Sequence, residues 1–152
     1  MTDVLFRSAE QPDLASIVKM LADDPLGAVR EDTSDPLNTV YKKAFQDIHN
    51  DSRNELIVAD IGGQVVGCLQ LTFIPGLSHQ GALRCQIEGV RIDQDFRGKG
   101  LGQKMFLWAI ARARSHKCAL VQLTSNASRV EALKFYERLG FTPTHIGMKL
   151  TL

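Results

Sequence analysis

The sequence lacks the features that mark membrane-spanning, disulfide-stabilised and metal-binding proteins. Its 152 residues include no apolar run close to the roughly 20 residues that cross a bilayer. The opening residues MTDVLFRSAE have neither the cationic nor the apolar region of a signal peptide. The three cysteines form no CxxC pair, and the four histidines show no metal-ligand spacing. We therefore expect a cytoplasmic protein with reduced thiols, no metal and no membrane partner.

The sequence also has little net charge. The formal charge is +1 at pH 7, which excludes a bulk electrostatic attraction to nucleic acid. The charges are nevertheless sorted along the chain, because acids predominate over residues 21–60 and bases over residues 91–117. This sorting indicates either two binding surfaces of opposite charge or two solvated surfaces without a ligand.

Length and composition indicate one domain over residues 1–152, with 44% hydrophobic and 23% charged residues. Hydrophobic periodicity predicts the order β-α-α-β-β-β-α-β-α-β, an α+β layer structure. The predicted strands are 4–7, two strands joined at Gly62-Gly63, 83–92, 119–124 and 144–150. Four helices are predicted. The first carries Leu14 to Leu21, and the second and third run over residues 39–48 and 103–116. The fourth begins at a capping box formed by Ser128 and Glu131 and ends at Gly140.

One short segment carries a specific chemical signal. RGKGLGQK, residues 97–104, places three glycines between a strand and a helix. Glycines at such a junction let backbone N–H groups face a ligand, and the helix N-terminus adds further donors, so the segment predicts a phosphate site. It has neither the Lys-Ser/Thr of a Walker loop nor the GxGxxG spacing of a dinucleotide site. Arg97, Gly100 and Gly102 meet the pattern [Q/R]xxGxG; the alternative is a glycine-rich turn without a ligand.

Two segments together resemble the GNAT superfamily of N-acetyltransferases. EGVRIDQDFRGKGLGQKMFLWAIARAR is similar to the acetyl-CoA-binding motif of that superfamily, and SRVEALKFYERLGF, residues 128–141, is similar to its next motif. The resemblance implies a GNAT-type fold: a mixed, mostly antiparallel central sheet with splayed strands, flanked by about four helices. It also implies acetyl-CoA as co-substrate and transfer of its acetyl group to a primary amine.

The resemblance assigns residues to acetyl-CoA. Backbone N–H groups of Arg97, Gly98, Lys99, Gly100, Leu101 and Gly102 would hold the pyrophosphate. Val90 and Ile92 would pair with the pantetheine arm as a further strand, where strands 83–92 and 119–124 splay apart. We expect these two strands to begin to splay apart near Gly89, which would loosen the strand there. The alternative is that Gly89 forms a simple surface bulge. Relatives often carry Asn seven residues before the motif tyrosine; here Arg129 takes that place and Asn126 lies nearby, and either side chain is a candidate for the contact.

The implied catalytic residues are Glu88 and Tyr136. An alkylammonium must lose a proton before it attacks a thioester, and Glu88 is the expected base. Glu88 lies on the side of Val90 and Ile92 if the strand alternates regularly; its alternative role is an ion pair with an arginine. Tyr136 is protonated at neutral pH and is the expected acid for the departing thiolate, against the alternative of a core tyrosine.

The cysteines raise a second mechanism, in which an acetyl-cysteine forms as an intermediate. No His or Asp in the sequence is spaced to activate Cys85 or Cys118. Direct attack of the amine in a ternary complex is therefore favoured.

The acceptor is less closely defined. The acidic run that includes Asp23, Asp24 and Glu31 favours a small-molecule cationic amine such as a polyamine or amino sugar. The second half of the chain also resembles relatives that acetylate aminoalkylphosphonates or sugar phosphates; the residues expected to meet the anion are then Arg84, Arg129 or Lys149. A protein or peptide N-acetyltransferase and a non-catalytic acetyl-CoA-binding regulatory module are the alternatives. Relatives are often homodimers, for which Phe6, Leu77 and the last strand are the candidate contacts.

Overall fold

A five-stranded sheet forms the centre of the computed structural model, which describes residues 3–152. The strands lie in the order β1-β2-β3-β4-β5, and neighbours are antiparallel except for the parallel pair β4 and β5. Their bounds are Leu5–Ser8, Asn54–Ile61, Gln64–Ile74, Arg84–Ile92 and Leu120–Gln122. This mixed, mostly antiparallel sheet confirms the predicted α+β class.

Helices flank the sheet. They are α1 (Leu14–Ala22), α2 (Thr39–Asn50), α3 (Ser78–Gly81), α4 (Leu101–Ser115) and α5 (Val130–Arg138). α3 is only a single turn, in which His79 and Gln80 have positive φ angles, so residues 3–152 contain four regular helices. Short 3-10 turns at Gln11–Asp13 and Gln94–Phe96 precede α1 and the glycine segment. None of the helices in the described part of the chain is long and apolar enough to cross a membrane.

The local predictions for the middle of the chain hold, but the one for its end does not. The hairpin at Gly62-Gly63 is confirmed, because β2 and β3 pair from Ile61↔Gln64 onward. The strand predicted over 144–150 is wrong, since residues 139–152 contain neither helix nor strand. An apolar alternation alone does not make a strand, because the backbone of a strand must find a hydrogen-bonded neighbour.

Apolar side chains cover both faces of the sheet. The layer under α4 includes the buried residues Leu69, Leu71, Ile87, Met105 and Phe106. On the opposite face α1 packs against β2 and β3 through Ile17, Met20, Val58 and Cys68. The sheet therefore separates two core layers and holds β4 in a fixed position between them.

Gly67 on β3 lies where α4 closely approaches the sheet. A Cβ built on Gly67 would lie 2.9 Å from Met105 Sδ and 3.1 Å from the Arg91 carbonyl oxygen. We predict that Gly67→Ala destabilises the fold by about 1–3 kcal/mol, because the added methyl group overpacks this contact. Gly76→Ala is the matched control, since the nearest atom to its Cβ, Ala82 O, would be 4.0 Å away. Urea unfolding measures the difference, and equal midpoints would contradict the packing described here.

Candidate active site

The parallel pair β4 and β5 separates along its length. Their pairing runs from Arg84↔Leu120 to Gln86↔Gln122 and ends there, so the second half of β4 has no β5 partner. Instead, β4 residues 87–92 and the segment 123–126 after β5 line a cavity of about 490 Å³. The expected splay is present, but it begins three residues before Gly89.

Gly89 forms a β-bulge in β4. In the register with β3, Glu88 lies opposite Gln70 and Arg91 lies opposite Cys68, so β4 holds one residue more than β3 between these two pairs. Gly89 has a φ angle of +60°, which glycine adopts without steric strain. The extra residue bends the strand at the wall of the cavity, as bulges beside functional sites do.

The bulge changes which residues share a face of β4. Val90 and Ile92 pack against the same core layer as Ile87. Glu88 is exposed and accepts a hydrogen bond from Gln86 Nε2 at 3.1 Å. Glu88 therefore does not share a side with Val90 and Ile92, because β4 does not alternate regularly and the extra residue shifts the period-two count by one. Glu88 nevertheless lines the cavity.

The glycine segment forms a turn at the end of the cavity. Gly98 and Gly100 have φ angles of +73° and +78°, and a Cβ built on either would meet no atom within 4 Å. Gly100 is the N-cap of α4, whose first-turn N–H groups have no intrahelical acceptors. Lys99 Nζ donates back to the Asp95 carbonyl at 2.7 Å, and the Leu101 side chain is buried in the core. The turn therefore offers open space beside backbone donors, an arrangement suited to phosphate.

The cavity gathers most of the residues that sequence reasoning singled out. Those lining it are Glu88, Val90, Ile92, Arg97, Gly102, Asn126, Arg129 and Tyr136, while residues 98–101 form the adjoining turn. Sequence reasoning did not assign ten further lining residues to this cavity: Asp23, Asp24, Ile87, Arg91, Phe106, Leu123, Thr124, Ser125, Ala132 and Phe135. The expected splay was a signal for residues 123–125, but nothing in the local sequence brings the two aspartates to β4.

Asp23 and Asp24, which follow α1, reach the cavity through ion pairs. Asp23 Oδ2 lies 2.7 Å from Arg97 Nη2, and Asp24 Oδ2 lies 3.2 Å from Arg91 Nη2. The Gly27 N–H donates to Asp24 at 2.6 Å. This hydrogen bond lowers the pKa of the Asp24 carboxyl, and the positive charge of Arg91 lowers it further by a smaller amount. Arginines of the same chain thus neutralise both aspartates. The expectation that these two carboxylates attract a cationic amine stays a prediction.

Arg91 connects the loop after α1 to β4 beside the cavity. Its Nη1 donates to the Val90 carbonyl at 2.9 Å, in addition to the ion pair with Asp24. Its Nε is buried and has no hydrogen-bond partner among residues 3–152. An unpaired buried donor costs about 1–3 kcal/mol. The ion pair with Asp24 and the hydrogen bond to the Val90 carbonyl thus hold Arg91 beside the cavity. Its positive charge was not assigned to the site by sequence reasoning.

Tyr136 on α5 lies in an aromatic cluster at the cavity wall. Its ring centroid is 5.5 Å from those of Phe106 and Phe135 and 6.2 Å from that of Phe141. Burial raises the pKa of the Tyr136 phenol, and the charges of two arginines, Arg129 first, oppose this rise in part. The phenol is therefore protonated at neutral pH and is available to donate its proton.

Asn126 and Arg129 both line the cavity, and the Asn126 side chain also forms hydrogen bonds within the loop before α5. Asn126 Oδ1 accepts hydrogen bonds from Ser128 N at 3.0 Å and Ser128 Oγ at 2.7 Å. Ser128 therefore does not cap α5, which begins at Val130, and the predicted capping box is wrong. Arg129 adds a positive charge that partly opposes the rise which burial causes in the pKa of Tyr136.

The cysteines lie in surroundings that disfavour the thiolate form. Cys85 is fully buried, and burial raises the pKa of its thiol to about 12. Burial also raises the pKa of Cys118. Neither residue lines the cavity. A thiol that stays protonated at neutral pH is a poor nucleophile.

The chain can now be placed among known proteins. Residues 16–141 match the Acetyltransferase (GNAT) family. Because the match spans most of the sequence, the protein belongs to the GNAT family of N-acetyltransferases. The predicted family and fold are confirmed.

Individual relatives extend this placement. Glucosamine 6-phosphate N-acetyltransferase of Trypanosoma brucei brucei is 31% identical over 160 aligned residues, with 100% of both chains covered. Aminoalkylphosphonate N-acetyltransferase of Salmonella typhimurium is 30% identical over 83 residues, which are 55% of this chain and 53% of that protein. The crystal structure of a transcriptional regulator from Bacillus halodurans superposes with a TM-score of 0.95 at 47% identity, over 99% of this chain and 100% of that one.

The open turn at Gly100 generates a prediction about ligand binding. Gly100→Ala should weaken acetyl-CoA binding about tenfold or more, because a methyl group would occupy the space beside the N–H donors and hydrogen bonds to charged groups contribute about 1.5–3 kcal/mol. Gly63→Ala is the matched control, since Gly63 also has a positive φ angle, +89°, and open space, but lies in the β2–β3 turn. Isothermal titration calorimetry gives both affinities. The same affinity for both variants would exclude the turn as the phosphate site.

Proposed function

We propose that this protein transfers the acetyl group of acetyl-CoA to a primary amine of a small molecule, and that the amine attacks the thioester directly while both substrates are bound. One observation carries the proposal: a carboxylate and a protonated phenol line the same cavity, between parted strands and next to an open glycine turn. The family identity supports acetyl-CoA as the donor. Acetyl-CoA supplies the activated acyl group, and the protein supplies position and proton transfer.

Backbone groups of the chain would hold the donor. The N–H groups of the turn from Gly98 to Gly102 suit the diphosphate, because Gly98 and Gly100 leave space beside them. The Arg97 N–H, which was expected to join them, donates instead to the Gln94 carbonyl at 3.3 Å.

Val90 and Ile92 lie in the half of β4 that has no β5 partner, so the pantetheine arm has a place along this strand edge. Arg91 Nη1 and Arg97 Nε already donate to the Val90 and Ile92 carbonyls, each of which keeps a second lone pair for an amide of the arm. The chain thus offers separate places for the charged and the amide-rich parts of one elongated ligand.

Glu88 is the proposed base. Its side chain is exposed to the cavity, and the hydrogen bond from Gln86 leaves further lone pairs of the carboxylate available. A primary ammonium is not nucleophilic, so the proton must leave before the nitrogen attacks. Glu88 would take this proton directly or through one water molecule.

Tyr136 is the proposed acid. Its raised pKa keeps the phenol protonated at neutral pH, and its place in the cavity wall allows it to donate to a developing thiolate. Cys85 is buried, Cys118 is partly buried, and both have raised pKa values, which supports direct attack over an acetyl-cysteine intermediate. The two proton transfers then involve different residues, a carboxylate and a phenol.

The acceptor is proposed to be an amine that also carries a phosphate or phosphonate group. The names of two relatives support this choice, since glucosamine 6-phosphate and aminoalkylphosphonates combine these groups. The internal pairing of the acids also supports it: Asp23 and Asp24 pair with arginines, and Glu31 lies 3.0 Å from Arg30. Arg84, on the Glu88 side of β4, donates to Gln122 Oε1 at 3.4 Å and is the proposed anion contact.

Turnover across a panel of amines tests the proposal. We expect thiol release from acetyl-CoA with glucosamine 6-phosphate or an aminoalkylphosphonate, and less with spermidine or a peptide. Glu88→Gln should lower kcat/KM by about 100-fold to 10,000-fold, the usual range for a lost general base. Glu137→Gln, an exposed neighbour of the site on α5, is the matched control and should keep the wild-type rate. A Glu88→Gln enzyme with full activity at pH 7 would refute the base assignment.

The same assay separates the enzyme from a regulatory module that binds acetyl-CoA without turnover. That second candidate is favoured by the name of the structurally similar Bacillus halodurans protein, a transcriptional regulator. It predicts stabilisation by acetyl-CoA, about 2.7 kcal/mol at a hundredfold excess over Kd, but no thiol release with any amine. Thiol release that depends on Glu88 excludes it.

Tyr136→Phe tests the acid. The variant removes only the hydroxyl, so we expect kcat to fall by about a hundredfold, at the low end of the range for acid catalysis, with unchanged acetyl-CoA affinity. Because burial raises the Tyr136 pKa, wild-type kcat should decrease only at alkaline pH, as the phenol ionises, and the variant should lack this decrease. Tyr41→Phe alters the other tyrosine, which bonds Glu31 at 3.0 Å, and serves as control. An unchanged kcat for Tyr136→Phe would show that Tyr136 does not act as the acid and only packs in the aromatic cluster.

A further inference from the structure

A row of hydrogen-bonded side chains runs across β5 and β4 to Glu88. It begins at Arg84, whose Nη1 donates to Gln122 Oε1 at 3.4 Å. Gln122 Nε2 donates in turn to Gln86 Oε1 at 2.8 Å. Gln86 Nε2 then donates to Glu88 Oε1 at 3.1 Å. We refer to these four residues as the amide row, because two glutamine amides join its charged ends.

The amide row crosses the sheet where β4 and β5 part. Gln86 and Gln122 are the last pair in the register of these two strands. Since Cys85 and Ile87 pack in the core layer under α4, Gln86 lies on the opposite face of β4. Both glutamines are half-buried and neither lines the cavity, whereas Glu88 does. The two amides therefore reach the cavity through the Glu88 carboxylate.

The ends of the amide row fix the direction of its hydrogen bonds. A guanidinium only donates, and an ionised carboxylate only accepts. A glutamine amide can be turned either way, because its oxygen and nitrogen have nearly the same shape. With Arg84 at one end and Glu88 at the other, one orientation of each amide forms all three hydrogen bonds, and both amides have that orientation.

The neighbouring polar residues of β3 form a separate set of hydrogen bonds. Thr72 lies opposite Gln86 in the β3–β4 register, and Gln70 lies opposite Glu88. Both donate away from β4, to Asn54 Oδ1: Thr72 Oγ1 at 2.8 Å and Gln70 Nε2 at 3.2 Å. The side-chain hydrogen bond that Glu88 accepts therefore comes from Gln86 on its own strand and not from the strand opposite.

We propose that Gln86 and Gln122 are positioning residues for the base. Gln122 orients the Gln86 amide, and this amide holds Oε1 of Glu88 so that Oε2 takes the proton of the acceptor amine. The inference rests on the proposed function, because it requires Glu88 to be the base. The terminal torsion of a glutamate is broad, so a carboxylate without this hydrogen bond would often be turned away from the amine. A misplacement of about 1 Å can cost a factor of about 100 in rate.

Gln122→Glu tests the orientation while it keeps the shape of the side chain. The new carboxylate accepts from Arg84 and from Gln86, so the Gln86 amide turns and presents its oxygen to Glu88. With the most active amine of the panel at saturation, we expect kcat to fall about 10-fold to 100-fold, with unchanged acetyl-CoA affinity. Thr72→Val removes a hydrogen bond of the neighbouring set and is the matched control, which should keep the wild-type kcat.

The same change in a Glu88→Gln background separates positioning from a structural effect. An amide at position 88 can pair with either orientation of Gln86, so Gln122→Glu should cause no further loss there. An equal loss in both backgrounds would overturn the inference. A normal kcat for Gln122→Glu beside an impaired Glu88→Gln enzyme would refute this inference alone. A fully active Glu88→Gln enzyme would refute both the base assignment and the inference.

Side-chain NMR of the wild type and of Glu88→Gln decides the case if the Gln122→Glu variant does not fold. A charged acceptor makes a shorter and stronger hydrogen bond than a neutral one. The proton and nitrogen chemical shifts of the Gln86 Nε2 group should therefore change in Glu88→Gln, and those of Gln122 should change with them. Unchanged shifts for Gln86 would show that its amide does not hold the carboxylate.

Discussion

The loss of pairing between β4 and β5 is the constraint on which the rest of the site depends. After Gln86 the two strands no longer share hydrogen bonds, so one side of β4 has main-chain groups without a strand partner. Such groups are costly to leave unpaired when they are covered, and a ligand with amides of its own can pair with them. The cavity lies in this gap between the strands, and both the bulge at Gly89 and Tyr136 line it.

Electrostatics connect the N-terminal half of the chain to this gap. Arg91 and Arg97, on β4 and in the turn after it, are paired with Asp23 and Asp24 from the end of α1. The aspartates partly screen the positive charge of these arginines at the end of the cavity. Asp23 and Asp24, in a region that the sequence presents as a separate acidic surface, therefore form part of the wall of the cavity beside β4. The net charge of the site is therefore smaller in magnitude than the acidic segment 21–60 or the basic segment 91–117 alone indicates.

The parts of the fold that depend on local sequence were predictable, and those that depend on distant pairing were not. The glycine turn at 98–102 and the helix carrying Tyr136 follow from residues adjacent in sequence. The face occupied by Glu88 could be predicted only on the condition that β4 alternates regularly. One additional residue at Gly89 reverses the alternation, and only the register with β3 reveals it. The segment 144–150 alternates like a strand, yet whether it pairs depends on an edge formed elsewhere in space. The aspartate–arginine pairs join residues more than 60 positions apart, which no local pattern encodes.

A crystal structure with bound coenzyme A tests the central claim most directly. We predict that its diphosphate lies within hydrogen-bonding distance of the backbone N–H groups between Gly98 and Gly102, and that its amide-rich arm runs along Val90 and Ile92 in the gap between β4 and β5. A bound coenzyme whose diphosphate lies away from this turn, with the gap still empty, would contradict the account.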